Sequence, residues 1–168
     1  MIPKKASAPA SYPTSGAIAP RHRPHLLFAR DDAANAGKSA AEPARILIVE
    51  DDYLISAEIE AALIDAGFDV VGIASSAEEA CELVEARRPA LAIMDIRLRG
   101  KRDGVDAALD IFRRQGIRSI FATAHHDAEI RARAQAAQPL AWVPKPYSMA
   151  SLIEVIRGAL RNLRHENN

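Results

Sequence analysis

The chain predicts an α/β fold, a doubly wound parallel sheet of five βα units preceded by a disordered N-terminal tail. Three observations predict it. From Arg45 onwards, short apolar runs alternate with helical periods, without the strict polar alternation of a sheet wetted on one face. Glycine, proline, serine and basic residues fall where helices should start and stop. Residues 1–44 show neither period and hold six of the ten prolines, so they cannot bury enough apolar surface to offset the entropy of ordering.

Strand one is Ile46-Leu47-Ile48-Val49. A helix follows over about 53–66, with Leu54, Ile55, Ile59, Ala62, Leu63 and Ala66 at helical spacing and Gly67 as its stop. Strand two covers about 69–74. Ser75 or Ser76 caps the second helix, which carries Glu78 and Glu79 in its first turn and ends near Arg87-Arg88-Pro89. Strand three covers about 91–94, a loop runs from Ile96 to Asp103, and helix three covers about 104–115 before Gly116. Strand four covers about 118–122. The next segment, 127–137, is Ala-rich with Ile130 as its only large aliphatic residue, which predicts a weak fourth helix. Strand five covers about 140–143, and Ser148 caps a final helix with Leu152, Ile153, Val155, Ile156, Ala159, Leu160 and Leu163 available for packing. Short βα units require a parallel sheet with right-handed crossovers. Five of them in ~120 residues match the flavodoxin-like strand order 2-1-3-4-5. The expected division is therefore a tail over 1–44 and one folded domain over 45–164.

Formal net charge is zero, so no global field draws the chain to nucleic acid or membrane. The tail nevertheless carries six Lys/Arg against three Asp/Glu, and the remainder sixteen against nineteen. The single cysteine, Cys81, excludes an internal disulfide and fits a reducing compartment; a cytoplasmic location is expected. Beside Ala80 and Val84 it reads as a small core residue. No run approaches the ~18 apolar residues of a membrane span, and the N-terminus lacks an apolar signal region. Within the tail, Arg21-His22-Arg23-Pro24-His25 followed by Leu26-Leu27-Phe28 reads either as a docking peptide or as ordinary solvated chain.

The chemistry-bearing residues end the apolar runs. Strand one leads into Glu50-Asp51-Asp52, strand three into Asp95, strand four into Thr123, and strand five towards Lys145-Pro146. In open α/β sheets that edge is where sites form, and the expected order makes strands one and three neighbours. Carboxylates gathered there would repel and raise one another's pKa. A divalent cation removes that conflict, and an all-oxygen donor set suits Mg²⁺. An aspartate beside such a cation is a competent nucleophile towards a phosphoryl group, with the Lys145 ammonium and Thr123 hydroxyl as partners for the transferring oxygens.

With these motifs in place, the stretch from Arg45 to about Leu163 resembles a receiver domain of bacterial two-component signalling. The residues that carry the resemblance are Ile-Leu-Ile-Val-Glu-Asp-Asp at 46–52, Ile-Met-Asp at 93–95, Ala-Thr-Ala at 122–124 and Pro-Lys-Pro-Tyr at 144–147. The resemblance implies a phosphoprotein of a phosphorelay, with Asp95 accepting a phosphoryl group from a histidine kinase or histidine phosphotransferase. It implies Mg²⁺ held by Glu50, Asp51, Asp95 and the backbone carbonyl of Arg97. It also implies a phosphate-binding Lys145, a cis Lys145-Pro146 bond, and a switch made by Thr123 and the aromatic at 142. Trp142 stands where the family often has Tyr or Phe, so a switch and a packing role are both open. Output would pass through the helix 4, strand 5, helix 5 face to an unknown protein, the chain being a monomer or weak homodimer. Phe121-Ala122-Thr123 also resembles the start of a motif in single-domain receivers of alphaproteobacterial stress signalling. In that subset Thr is followed by Gly and then Tyr, whereas Ala124-His125-His126 follows here.

Since only Arg164 to Asn168 follow the last helix, a stand-alone response regulator is expected, a signalling protein with at most slow autodephosphorylation and not an enzyme. A phosphate sink or relay intermediate is the alternative within signalling. An aspartyl-nucleophile phosphohydrolase would need Asp-x-Asp, and Arg97 occupies the second position. A flavin or nucleotide binder would need a Ser/Thr/Gly-rich loop after strand one, where Glu50-Asp51-Asp52 stands instead. Asp52 reads as a helix-start residue. The basic loop Arg97, Arg99, Lys101 and Arg102 reads either as a steering element beside an acidic pocket or as a solvated loop. His125-His126 lacks a third metal ligand at proper spacing.

Overall fold

The computed structural model describes residues 42–124 and 128–166; the expected tail up to residue 41 and the His125-His126 pair lie outside them. The chain runs β1 (Arg45–Val49), α1 (Tyr53–Asp65), β2 (Asp69–Ala74), α2 (Ala77–Arg87), β3 (Leu91–Met94), α3 (Gly104–Gln115), β4 (Ser119–Thr123), α4 (Ala128–Ala134), a 3₁₀ turn (Gln135–Ala137), β5 (Ala141–Pro144) and α5 (Met149–Glu166). The five strands form one sheet in the order β2-β1-β3-β4-β5, and every pairing is parallel. This is the flavodoxin-like arrangement expected from the sequence.

Alternate residues of each central strand feed two cores. Leu47, Val49, Ala92, Met94 and Phe121 pack with Ala77, Ala80 and Val84 of α2 and Val105, Ala108 and Ile111 of α3. Ile46, Ile48, Leu91, Ile93, Ile120 and Ala122 pack with Ile59 and Leu63 of α1 and Leu152, Ile153 and Ile156 of α5. Both faces of β1, β3 and β4 are therefore dry, which is why their sequences are apolar without alternation. Each fully buried Leu or Ile contributes about 1.5–3 kcal/mol relative to exposure. Cys81 packs at the edge of the first core.

The helix ends follow the local chemistry. Asp52 precedes α1 and its carboxylate accepts the Leu54 and Ile55 N–H groups. Ser76, not Ser75, caps α2 by accepting from the Glu79 N–H, while Ser75 donates to the Glu79 carboxylate. Ser148 accepts the Ser151 N–H at the start of α5. Asp103 and Asp106 form a reciprocal capping box at the start of α3. Glycine at 116 ends α3 in a left-handed conformation (φ 70°), but α2 ends on Arg88 in the same region (φ 48°). The fourth helix is shorter than the 127–137 segment suggested: α4 stops at Ala134 and a 3₁₀ turn closes on Gln138. Its small side chains give too little buried surface to hold a longer helix. No described helix is long and apolar enough to cross a membrane.

Candidate functional site

Parallel register brings the sequence-predicted residues together. Val49 pairs with Met94 in the β1–β3 ladder, so Glu50 and Asp95 emerge side by side at the carboxyl edge. The Asp95 N–H donates to the Val49 carbonyl (2.8 Å) and the Glu50 N–H to the Ala74 carbonyl (2.9 Å), which fixes both backbones before any side chain acts. Thr123 ends β4, fully buried, and its carbonyl accepts the Lys145 N–H at 3.0 Å. That bond ties β4 to the turn after β5, where the Lys145–Pro146 peptide is cis.

The Lys145 ammonium lies between two carboxylates, donating to Glu50 Oε2 at 2.6 Å and Asp95 Oδ2 at 2.9 Å. Asp95 Oδ1 accepts the N–H of Ile96 at 2.6 Å, and Glu50 Oε1 accepts that of Asp52 at 3.3 Å. Glu50 is only 5 % exposed. Burial pushes its carboxyl above the ordinary value; the Lys145 hydrogen bond opposes this and the Asp95 charge adds to it. Burial alone would lower the Lys145 ammonium, but hydrogen bonds and charge from Glu50 and Asp95 outweigh it, so its pKa is raised. A simple ion pair would lower the acid and raise the base. Here the acid moves the other way, because Glu50 loses more water than one shared ammonium replaces.

Glu50, Asp51 and Asp95 each present a carboxylate oxygen, and these oxygens lie within 4.8 Å of one another. Hard oxygen donors at that spacing fit a small divalent cation such as Mg²⁺. Arg97, two residues after Asp95, has an exposed side chain. Trp142 of β5 is half-buried, its ring stacked on Phe121 of β4 at 4.5 Å between centroids and 18° between planes.

Three features escaped the sequence reading. The guanidinium of Arg131 in α4 covers the outer face of Trp142, 4.7 Å from the ring centre. Arg133 reaches both carboxylate oxygens of Asp103 at 2.7 Å and Asp106 at 3.2 Å. Gly104 opens α3 directly against the turn after β3: a Cβ there would collide with the backbone carbonyl of Asp95, and its N–H donates to the Ile96 carbonyl at 2.8 Å. Only the Asp103-x-x-Asp106 spacing was a sequence-level signal; the arginine contacts depend on where the sheet places α4.

Comparison with known proteins agrees with this geometry. Residues 46–157 match the response regulator receiver domain family. The transcriptional regulatory protein PdtaR of Mycobacterium tuberculosis is 37% identical over 125 residues, covering 74% of this chain and 60% of PdtaR. The phyllosphere-induced regulator PhyR of Methylorubrum extorquens is 34% identical over 134 residues, covering 78% of this chain and 49% of PhyR. The chain thus spans only about half to three-fifths of these relatives. Among solved structures, the signal receiver domain of a modulated diguanylate cyclase from Desulfovibrio desulfuricans superposes with a TM-score of 0.69 at 32% identity, covering 74% of this chain and 98% of that one. The response regulator PhyR from Brucella abortus superposes with a TM-score of 0.63 at 29% identity, covering 74% and 51% respectively. By its matched residues and its fold, the chain belongs to the response regulator receiver domain family.

Proposed function

We propose that Asp95 accepts a phosphoryl group from the phosphohistidine of a histidine kinase or histidine phosphotransferase. The observation that carries this is the Lys145 ammonium held between Glu50 and Asp95, beside three carboxylates close enough to share one cation. An Asp95 oxygen bonds to phosphorus as the bond to the histidine nitrogen breaks, and that nitrogen keeps the electron pair. Lys145 exchanges a carboxylate partner for a phosphoryl oxygen, and the buried Thr123 hydroxyl donates to another. Glu50, Asp51, Asp95 and the Arg97 carbonyl would hold Mg²⁺, which when bound neutralises charge on the transferring oxygens.

A donor protein finds an apolar collar around this pocket. Tyr53 and Leu54 are 79% and 76% exposed at the start of α1. A depression of about 430 Å³ beside Lys145 is lined by Ile55, Ala124, Pro146, Tyr147 and Met149, with Glu58 as its one acidic residue. Output runs through the α4–β5–α5 face, where Thr123 and Trp142 act as the switch, to a protein partner. A phosphate sink or relay without output is the second reading.

Phosphotransfer from autophosphorylated histidine kinases of the source organism tests the assignment. The native chain takes label in Mg²⁺ and Asp95→Asn takes none. Label on Asp95→Asn, or equal labelling of the native chain in chelator, overturns it.

A further inference from the structure

The loop from Arg97 to Arg102 carries four basic residues, and two of them, Arg99 and Arg102, are turned in opposite senses. Arg102 is turned away from the pocket onto Asp110 and Glu78. Arg99 is turned towards it. Its N–H donates to the Ser75 carbonyl at 3.1 Å, and it forms an isolated parallel bridge with Ser76. Gly100 follows at φ 104°, a left-handed conformation that lets the chain turn sharply away. With its backbone anchored to the β2–α2 turn, the exposed Arg99 side chain extends to the backbone carbonyl of Asp51, Nη2 to O 3.4 Å. A hydrogen bond of that length in solvent is weak. The guanidinium is free to exchange it for a better acceptor.

The better acceptor is a phosphoryl group. Glu50, Asp51 and Asp95 repel an incoming dianion, and the Lys145 ammonium is already engaged by two of them. A guanidinium fork at the rim matches phosphate oxygens in pairs and offsets that repulsion before contact with the inner groups. We propose that Arg99 is a specificity-determining residue for phosphoryl entry, binding the dianionic group of a donor at the pocket rim and delivering it to Lys145 and Asp95. The proposal rests on Asp95 being the phosphoacceptor. The effect is greatest for a small free acyl phosphate, which has no protein surface of its own to align it. In that reaction an Asp95 carboxylate oxygen bonds to phosphorus. The bond from phosphorus to the donor's acyl oxygen breaks, and the carboxylate product leaves with the electron pair, so no proton or further reactant is required.

The test uses the full chain with saturating Mg²⁺ and sub-saturating acetyl phosphate, with phosphorylated protein quantified by intact mass. At an ionic strength of ~20 mM, Arg99→Gln slows phosphorylation about 5- to 20-fold, and the gap closes towards unity at ~0.5 M salt. Arg99→Lys restores part of the rate, supplying charge without the fork. Lys101→Gln, in the same loop, stays within about twofold of the native chain. A native rate for Arg99→Gln at low salt, or an equal loss for Lys101→Gln, overturns the proposal. So does a native chain labelled by kinase at Asp95 but inert to acetyl phosphate. Labelling of Asp95→Asn fails the phosphoacceptor reading itself, a separate outcome.

Discussion

At the scale of single residues the pocket is a compromise between charge and burial. Lys145 satisfies Glu50 and Asp95 together, yet the Glu50 carboxyl still lies above its ordinary value near 4.5, chiefly through loss of water. A carboxyl whose pKa is raised by folding favours the fold while protonated, and that contribution fades as pH rises through the folded value. In chelator, therefore, Glu50→Gln raises the thermal midpoint at pH 7, because the neutral amide avoids the cost of ionisation. The gain disappears as pH falls below 4.5, where native Glu50 is also neutral; melts across pH 4–8 read it directly. A native chain more stable than the variant at pH 7 in chelator would contradict this account. The residues of the candidate site were legible in the sequence because each ends an apolar run. Gly104 was not legible in that way. Its requirement comes from the Asp95 carbonyl, a neighbour only after β3 and α3 have packed.

At the scale of elements, α4 is the outlier. Its seven residues bury only Ala134 fully, and two arginines fasten it. Arg133 holds Asp103 and Asp106, the pair that caps α3, and Arg131 lies on Trp142. Partly exposed ion pairs of this kind contribute about 0.2–1 kcal/mol each, too little for the global fold but a large share for a one-element equilibrium. Arg133→Gln accordingly leaves the thermal midpoint nearly unchanged while amide exchange across 128–137 accelerates several-fold. Protection equal to the native chain in that segment would show that packing alone holds α4. The sequence revealed a weak helix through its alanines. It did not reveal the arginine clasps, because an exposed arginine on a short helix has no pattern that names its partner. The limits of β4 and β5, each one residue later than expected, were equally invisible, since Arg118 and Leu140 are as acceptable to a strand edge as to a loop.

At the scale of the whole molecule, one fold-wide property follows from where the carboxylates sit. They directly follow β1 and β3, two of the three strands that join both cores, so a cation bound between them favours the native state over every unfolded one. Saturation at 100-fold above its dissociation constant stabilises the fold by about 2.7 kcal/mol. Mg²⁺ therefore raises the thermal midpoint of the native chain in a concentration-dependent way, and Asp51→Asn loses most of that response; an undiminished response in the variant would move the cation elsewhere. The doubly wound order was readable from runs and punctuation because every local signal agreed with the global answer. The stack of Phe121, Trp142 and Arg131 has a practical consequence at this scale. Trp142 is the only tryptophan in the chain, and it sits between an aromatic ring on the sheet and a cation on α4. Any movement of α4 changes what the indole sees, so its emission reads out the position of that helix without a label.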